Sequence, residues 1–182
     1  MSIWRNSRFA AVVMLLMIAA GTLVGSHNSL ADLREKAAAV FTLGARGDGI
    51  GIQSDLNERA GIAYNLVVLA RKYLPEDNAL IQNAVSTATA LASAGGIREK
   101  SAANRALETT VKDLADVLSS LTLSAQDARY PQRMYTDFRS RGDAISHDPY
   151  NQAAVSFNRI LSGFPAKLLG GLTGIRPLEL FE

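Results

Sequence analysis

From Ser54 to Leu74 the residues Leu56, Ala60, Ala63, Val67, Ala70 and Leu74 recur at intervals of 4-3-4-3-4, with Ile62, Leu66, Leu69 and Tyr73 in a second row beside them. A strand cannot use that spacing, because it shows alternate residues to one face. The period demands a helix, and two adjoining rows give an apolar stripe broad enough to meet more than one neighbour. Pro75 closes this helix, and Pro75-Glu76-Asp77-Asn78 supplies a turn with acidic residues for the first turn of the next. Ile81, Ala84, Ala88 and Leu91 then share a face up to Gly95-Gly96.

A longer segment places Ala103, Leu107, Val111, Leu114, Leu118 and Leu121 on one side, and Glu108, Lys112, Asp113 and Asp116 largely on the other. Tyr130-Pro131 marks a break. The last helix is expected from about Gln132 to about Ser162, with Tyr135, Phe138, Gly142 and Ile145 on one face, then Ala153, Phe157, Ile160 and Phe164. Pro149 removes a hydrogen bond to the carbonyl of Ile145, so a kink or short break is expected there. No stretch alternates with strand composition. The spacing predicts an all-α fold, an antiparallel up-and-down helical bundle of about four long helices.

The N-terminus adds a membrane segment. Phe9–Gly25 is 17 residues without a charge, at the short end of what spans a bilayer and slightly beyond a signal-peptide core. Leu30, Leu33, Ala37 and Val40 continue at helical spacing, so one helix is expected to run from the membrane into the bundle as a signal-anchor. The alternative is cleavage after Ser26, which would leave a soluble periplasmic binding module. Arg5 and Arg8 are the only charges before residue 31, so the remainder carries 17 basic and 17 acidic residues. A basic face for nucleic acid is therefore not expected. The same two arginines favour a cytoplasmic N-terminus and a bundle outside, while Arg34 and Lys36 blunt the asymmetry. The expected organisation is a short basic cytoplasmic segment at 1–8 and a transmembrane anchor at 9–25. A helical bundle follows at 26–163, with a glycine-rich loop at 44–52, and then an apolar C-terminal tail at 164–182.

Asn28-Ser29-Leu30-Ala31-Asp32-Leu33-Arg34-Glu35-Lys36, directly after a membrane segment, resembles the opening of the LemA family. Leu56 with Arg59, Asn65-Leu66, Tyr130-Pro131, Tyr150-Asn151, Phe157-Asn158, Phe164-Pro165 and Phe181-Glu182 follow in the family's order. The resemblance implies a membrane-anchored antiparallel bundle of the bacterial inner membrane and envelope, with coiled-coil-like packing. The resemblance leaves the molecular function unestablished and adds no catalytic residues. The anchor, the bundle periodicity and the missing catalytic set lead to the expectation of an interaction or scaffold role without cofactor or metal. The implied contacts are the lipid bilayer through Phe9–Gly25 and protein partners in the envelope. The glycine-rich loop and Pro149 depart from the usual pattern.

Leu43–Leu56 reads LGARGDGIGIQSDL. Gly47-x-Gly49 lacks the third glycine and preceding strand of a dinucleotide fingerprint, and no Gly-Lys-Ser/Thr follows for a P-loop. Asp48 and Asp55 are too few for a calcium loop. A helix connection is expected, with Ser54 or Asp55 capping the second helix and the glycines free of apolar contacts. Arg46-Gly47-Asp48 and Arg141-Gly142-Asp143 are chance tripeptides on this reading. Asp143, His147 and Asp148 could orient a base, the one route to an envelope hydrolase, but no nucleophile motif or HExxH accompanies them. Asn28, Asn65, Asn151 and Asn158 adjoin apolar stripes and are expected to set helix register through side-chain hydrogen bonds. The tail could cover one end of the bundle, lie at the membrane surface or occupy a partner's groove; covering the core is the favoured expectation, because a long exposed apolar tail invites aggregation.

Overall fold

The computed structural model describes residues 7–182 and is all-helical, with no strand among the described residues. Arg5 and most of the basic segment lie outside the described residues. The helices are α1 (Ser7–Leu43), α2 (Ile52–Ala70), α3 (Ala79–Ser93), α4 (Ile97–Ser120), α5 (Tyr130–Ser146), α6 (Tyr150–Ser162) and α7 (Ala166–Thr173). A 3₁₀ turn at Asp127–Arg129 leads into α5. The chain divides into two compact units. One takes α1 as far as Ala38 with Ala153–Leu178; the other takes Ala39–Gln152 with Glu179–Glu182.

In the second unit α2 packs against α3, α4 and α5. Its two rows explain this: Leu56, Ala60, Ala63, Val67 and Ala70 are all buried, and so are Leu66 and Leu69. Alanine at three of these positions lets neighbouring helices approach closely. Ile81, Ala84, Ala88 and Leu91 of α3 are buried, as are Leu107, Val111, Leu114 and Leu118 of α4. The start of α3 differs from expectation, since Glu76 and Asp77 precede the helix. Asn78 is the cap, its Oδ1 accepting the Leu80 N–H at 2.9 Å. Glu99 serves α4 by accepting the N–H groups of Gly95 and Gly96 at 3.0 and 3.2 Å. These bonds hold its carboxyl below the usual range.

The glycine-rich segment is a compact turn, not a slack link. Gly44, Gly47 and Gly49 all have positive φ, and the Asp48 carboxylate accepts the Ile50 N–H at 3.0 Å. Gly51, whose φ is ordinary, is needed for space: a Cβ there would lie 2.6 Å from the Phe41 carbonyl oxygen and 2.7 Å from that of Val40. Gly51 also precedes α2 without a side-chain cap. Neither Ser54 nor Asp55 caps the helix, because it begins earlier, at Ile52. Asp55 is buried and accepts from Arg141 Nη1 at 3.2 Å. Ile52, read as loop from sequence, is the first helical residue and 1% exposed.

Pro149 does interrupt the last helix: α5 ends at Ser146, and α6 begins at Tyr150 with its N–H donated to Asp148 Oδ1 at 2.8 Å. The restart resets the helical phase. Tyr150, Ala154, Phe157 and Leu161 are buried, whereas Ile160 and Phe164 are exposed. The expected row through Ala153, Phe157, Ile160 and Phe164 therefore assigns the last two wrongly: the buried row runs through Ala154 and Leu161 instead, and Phe164 lies beyond the end of α6.

Candidate functional site

Among the described residues Arg59 is the largest fully buried side chain. Its guanidinium lies over the Phe138 ring, 3.9 Å from the centroid, and Nη2 donates to Glu108 Oε2 at 3.2 Å. Gly142 of α5 leaves the room it needs, since a Cβ there would collide with Nη1. Burial pushes the Arg59 pKa below its ordinary value, and the charges of Glu108, Asp143 and Asp55 oppose that shift. The group stays a cation because its ordinary pKa is so high. Arg141 makes a second bridge from α5 to α2, reaching Asp55 at 3.2 Å and Glu58 at 2.7 Å.

Beside Arg59 lies a cavity of about 390 Å³, lined by Asn104, Arg105, Glu108, Arg139, Asp143 and Asn151 among others. It presents charges of both signs. Arg59 Nε and Asn104 Oδ1 are buried without a hydrogen-bond partner. Ser101 and Asn104 were not singled out from sequence. The signal is present in the sequence, because they continue the Leu107–Leu118 row backward at three-residue steps, but their polarity sets them apart from an apolar period.

Two asparagines of α6 do something other than setting register between helices. Asn151 Nδ2 donates to the Phe181 carbonyl at 2.7 Å, and its Oδ1 accepts the Phe181 N–H at 2.9 Å. Asn158 makes the same pair with Leu178, at 2.9 and 2.8 Å. Each amide thus satisfies both backbone groups of one tail residue. The two are seven apart on one helical face, a rise of about 10.5 Å, and three residues of extended chain span about 10 Å. Tyr150 Oη donates to the Glu179 carbonyl at 2.6 Å. Phe41 meets Tyr150 edge-on, with centroids 5.2 Å apart, and Phe181 at 6.1 Å. Ser101 and Arg105 donate to the Glu182 backbone oxygen. Asn28 and Asn65 are exposed and make no such clamp.

The other positions quoted for the resemblance divide between core and surface. Leu30, Leu56, Leu66 and Phe157 are buried; Leu33, Phe164 and Pro165 are exposed. Arg34 Nε donates to the Arg176 carbonyl at 2.9 Å. Compared with family models, curated proteins and solved structures, the chain matches none.

The acid–base candidates do not converge. His147 is exposed, and its Nδ1 meets the backbone carbonyl of Asp143 at 2.8 Å rather than the carboxylate. Asp148 faces the start of α6, where burial pushes its carboxyl up despite the Tyr150 N–H. Among the described residues no group of three or more His, Asp or Glu is placed to hold a metal ion.

Phe9–Leu43 forms 35 residues of continuous helix long and apolar enough to cross a membrane, and none of its apolar window is buried. The tail divides as well. Leu178 and Phe181 are buried as expected of a covering segment, but Phe164 is 88% exposed. The expectation that the whole tail covers the core therefore fails for its first half.

Proposed function

We propose that this chain is a membrane-anchored, LemA-like protein whose antiparallel helical bundle acts by interaction in the bacterial envelope, without catalysing a reaction. One observation carries the reading. No residue in the apolar stretch of α1 is buried, although the same helix buries Leu30 and Phe41 farther along. Leaving such a surface in water costs about 25 cal/mol for each Å², and a bilayer removes that cost. Continuity of α1 through Ser26 supports an uncut anchor over a cleaved signal. Arg5 and Arg8 support a cytoplasmic N-terminus, with the bundle beyond the inner membrane. The separation of Asp143, His147 and Asp148 supports a non-enzymatic role over an envelope hydrolase.

The bilayer is the first partner, through Phe9–Gly25, and envelope proteins are the second. Crosslinking in intact cells followed by membrane purification should return a reproducible partner set that is lost when the anchor is replaced by a cleavable signal. Recovery of abundant bystanders alone would remove the interaction role. Intact mass of the membrane-extracted protein should retain Arg5 and Arg8; a soluble species beginning at His27 would overturn the anchor.

A further inference from the structure

α7 has two faces of different character. Pro165, Ala166 and Leu169 line a groove with Gly25, Ser29 and Leu30 of α1, so this side of the segment faces the helix that leaves the apolar run. Phe164, Leu168 and Leu172 recur every fourth residue and are 88%, 58% and 67% exposed. We propose that this exposed stripe is a second membrane contact, with α7 lying in the interfacial layer of an anionic bilayer beside the anchor. The inference rests on the reading of Phe9–Gly25 as a membrane span.

Depth is the first argument. The α1 residues in the groove lie between Gly25 and Leu30, within about 7.5 Å of the end of the apolar run at 1.5 Å per residue. The headgroup layer on each side of the hydrocarbon occupies about 5–8 Å. α7 is therefore held at the level of that layer, where amphipathic helices bury an apolar face.

Charge is the second. Residues 153–178 contain Arg159, Lys167 and Arg176 and no acidic residue, and all three cations are exposed. Anionic lipid headgroups attract such a segment. Area is the third. Three apolar side chains offer about half of the roughly 800 Å² per partner that a stable protein interface needs. A second copy of the chain gains too little from this stripe alone, whereas a helix already tethered at the surface needs only a small apolar insertion.

The chain has no cysteine, so single labels can be placed in the full-length protein. Leu168→Cys, Leu15→Cys and Val68→Cys, each carrying an environment-sensitive fluorophore, are reconstituted into phosphatidylcholine/phosphatidylglycerol vesicles with or without a quencher-bearing lipid. The Leu15 and Leu168 labels should lose most of their emission to the quencher, the latter to a shallow one, while the Val68 label stays unquenched. Quenching at Leu15 but not at Leu168 overturns the α7 contact and leaves the anchor standing. Absence of quenching at both removes the anchor, and the α7 contact with it. A Leu168 label shielded in lipid-free detergent, increasingly so with protein concentration, assigns the stripe to a second copy and overturns the proposal.

Discussion

α3 and α7 carry the same kind of sequence pattern and meet opposite surroundings. In α3, Ile81, Ala84, Ala88 and Leu91 share a face and every one is buried. At α7, Phe164, Leu168 and Leu172 share a face and every one is exposed. Both stripes have helical spacing, so the period cannot separate them. It tells which residues point together, not what they point at. The same division recurs among glycines, asparagines and aspartates, and each pair offers a way to break or sharpen it.

The largest difference should come from a charge placed in each stripe. Ile81→Asp buries a carboxylate with no partner, costing several kcal/mol against a total stability of about 5–15 kcal/mol. Circular dichroism in detergent should show a strongly destabilised or unfolded protein. Leu168→Asp should leave the thermal midpoint in detergent nearly unchanged. Equal losses would mean that α7 is packed in the folded protein, and the contrast would disappear.

Next come the glycines. Gly51→Ala drives a Cβ against the carbonyls of Val40 and Phe41, and the backbone must move; about 2–3 kcal/mol should be lost, comparable to overpacking a core. Gly47→Asn, at an exposed positive-φ position with open space around it, should cost a few tenths of a kcal/mol at most, because asparagine tolerates that conformation. Denaturant midpoints of the two variants decide it. A silent Gly51→Ala would mean that the turn is as slack as its composition alone implied.

The asparagines should differ by less. Asn151→Ala removes both hydrogen bonds to Phe181 and should cost about 1–2 kcal/mol, seen as faster hydrogen exchange at the Phe181 amide. Asn65→Ala, on an exposed position, should change neither stability nor exchange. Unchanged protection at Phe181 after Asn151→Ala would separate the clamp from the order of the tail.

The smallest and most specific test uses pH. The Tyr73 hydroxyl donates to Asp127 at 2.7 Å and Lys72 Nζ lies 3.3 Å away, and Tyr73 is the chief cause holding this carboxyl below its ordinary 3.8. A lowered pKa contributes stability above the ordinary value and loses it as pH falls through the folded value. Asp148 is pushed the other way, chiefly by burial, so its contribution is present below the ordinary value and is lost as pH rises through the raised one. Tyr73→Phe should shrink the acid-side loss, and Asp148→Asn should remove the opposing slope. Thermal midpoints measured from strongly acidic pH, below the ordinary carboxyl value of 3.8, up to neutrality read both, and identical profiles for the two variants would contradict the assigned causes.

The sequence by itself determined helices α1 to α4 and a long apolar N-terminal segment. Leu56–Ala70, Ile81–Leu91 and Leu107–Leu118 each repeat their period often enough to define a face, and burial follows it. Pro149 declared its own break, because a missing N–H and a fixed φ act locally. Tertiary structure decided whatever depends on a neighbour distant in sequence. Nothing near Arg59 announces that Gly142, Phe138 and Glu108 will enclose it, and nothing near Asn151 or Asn158 announces the tail backbone as partner. Gly51 and Gly47 look alike in sequence; only the carbonyls at the end of α1 distinguish them. Phe164 falls outside the face assigned to it because α6 ends at Ser162, before that residue. Periodicity is a property of one segment, whereas burial belongs to the surfaces that meet. The composition of a stripe therefore predicts that it will be covered, and only the three-dimensional arrangement shows whether protein does the covering.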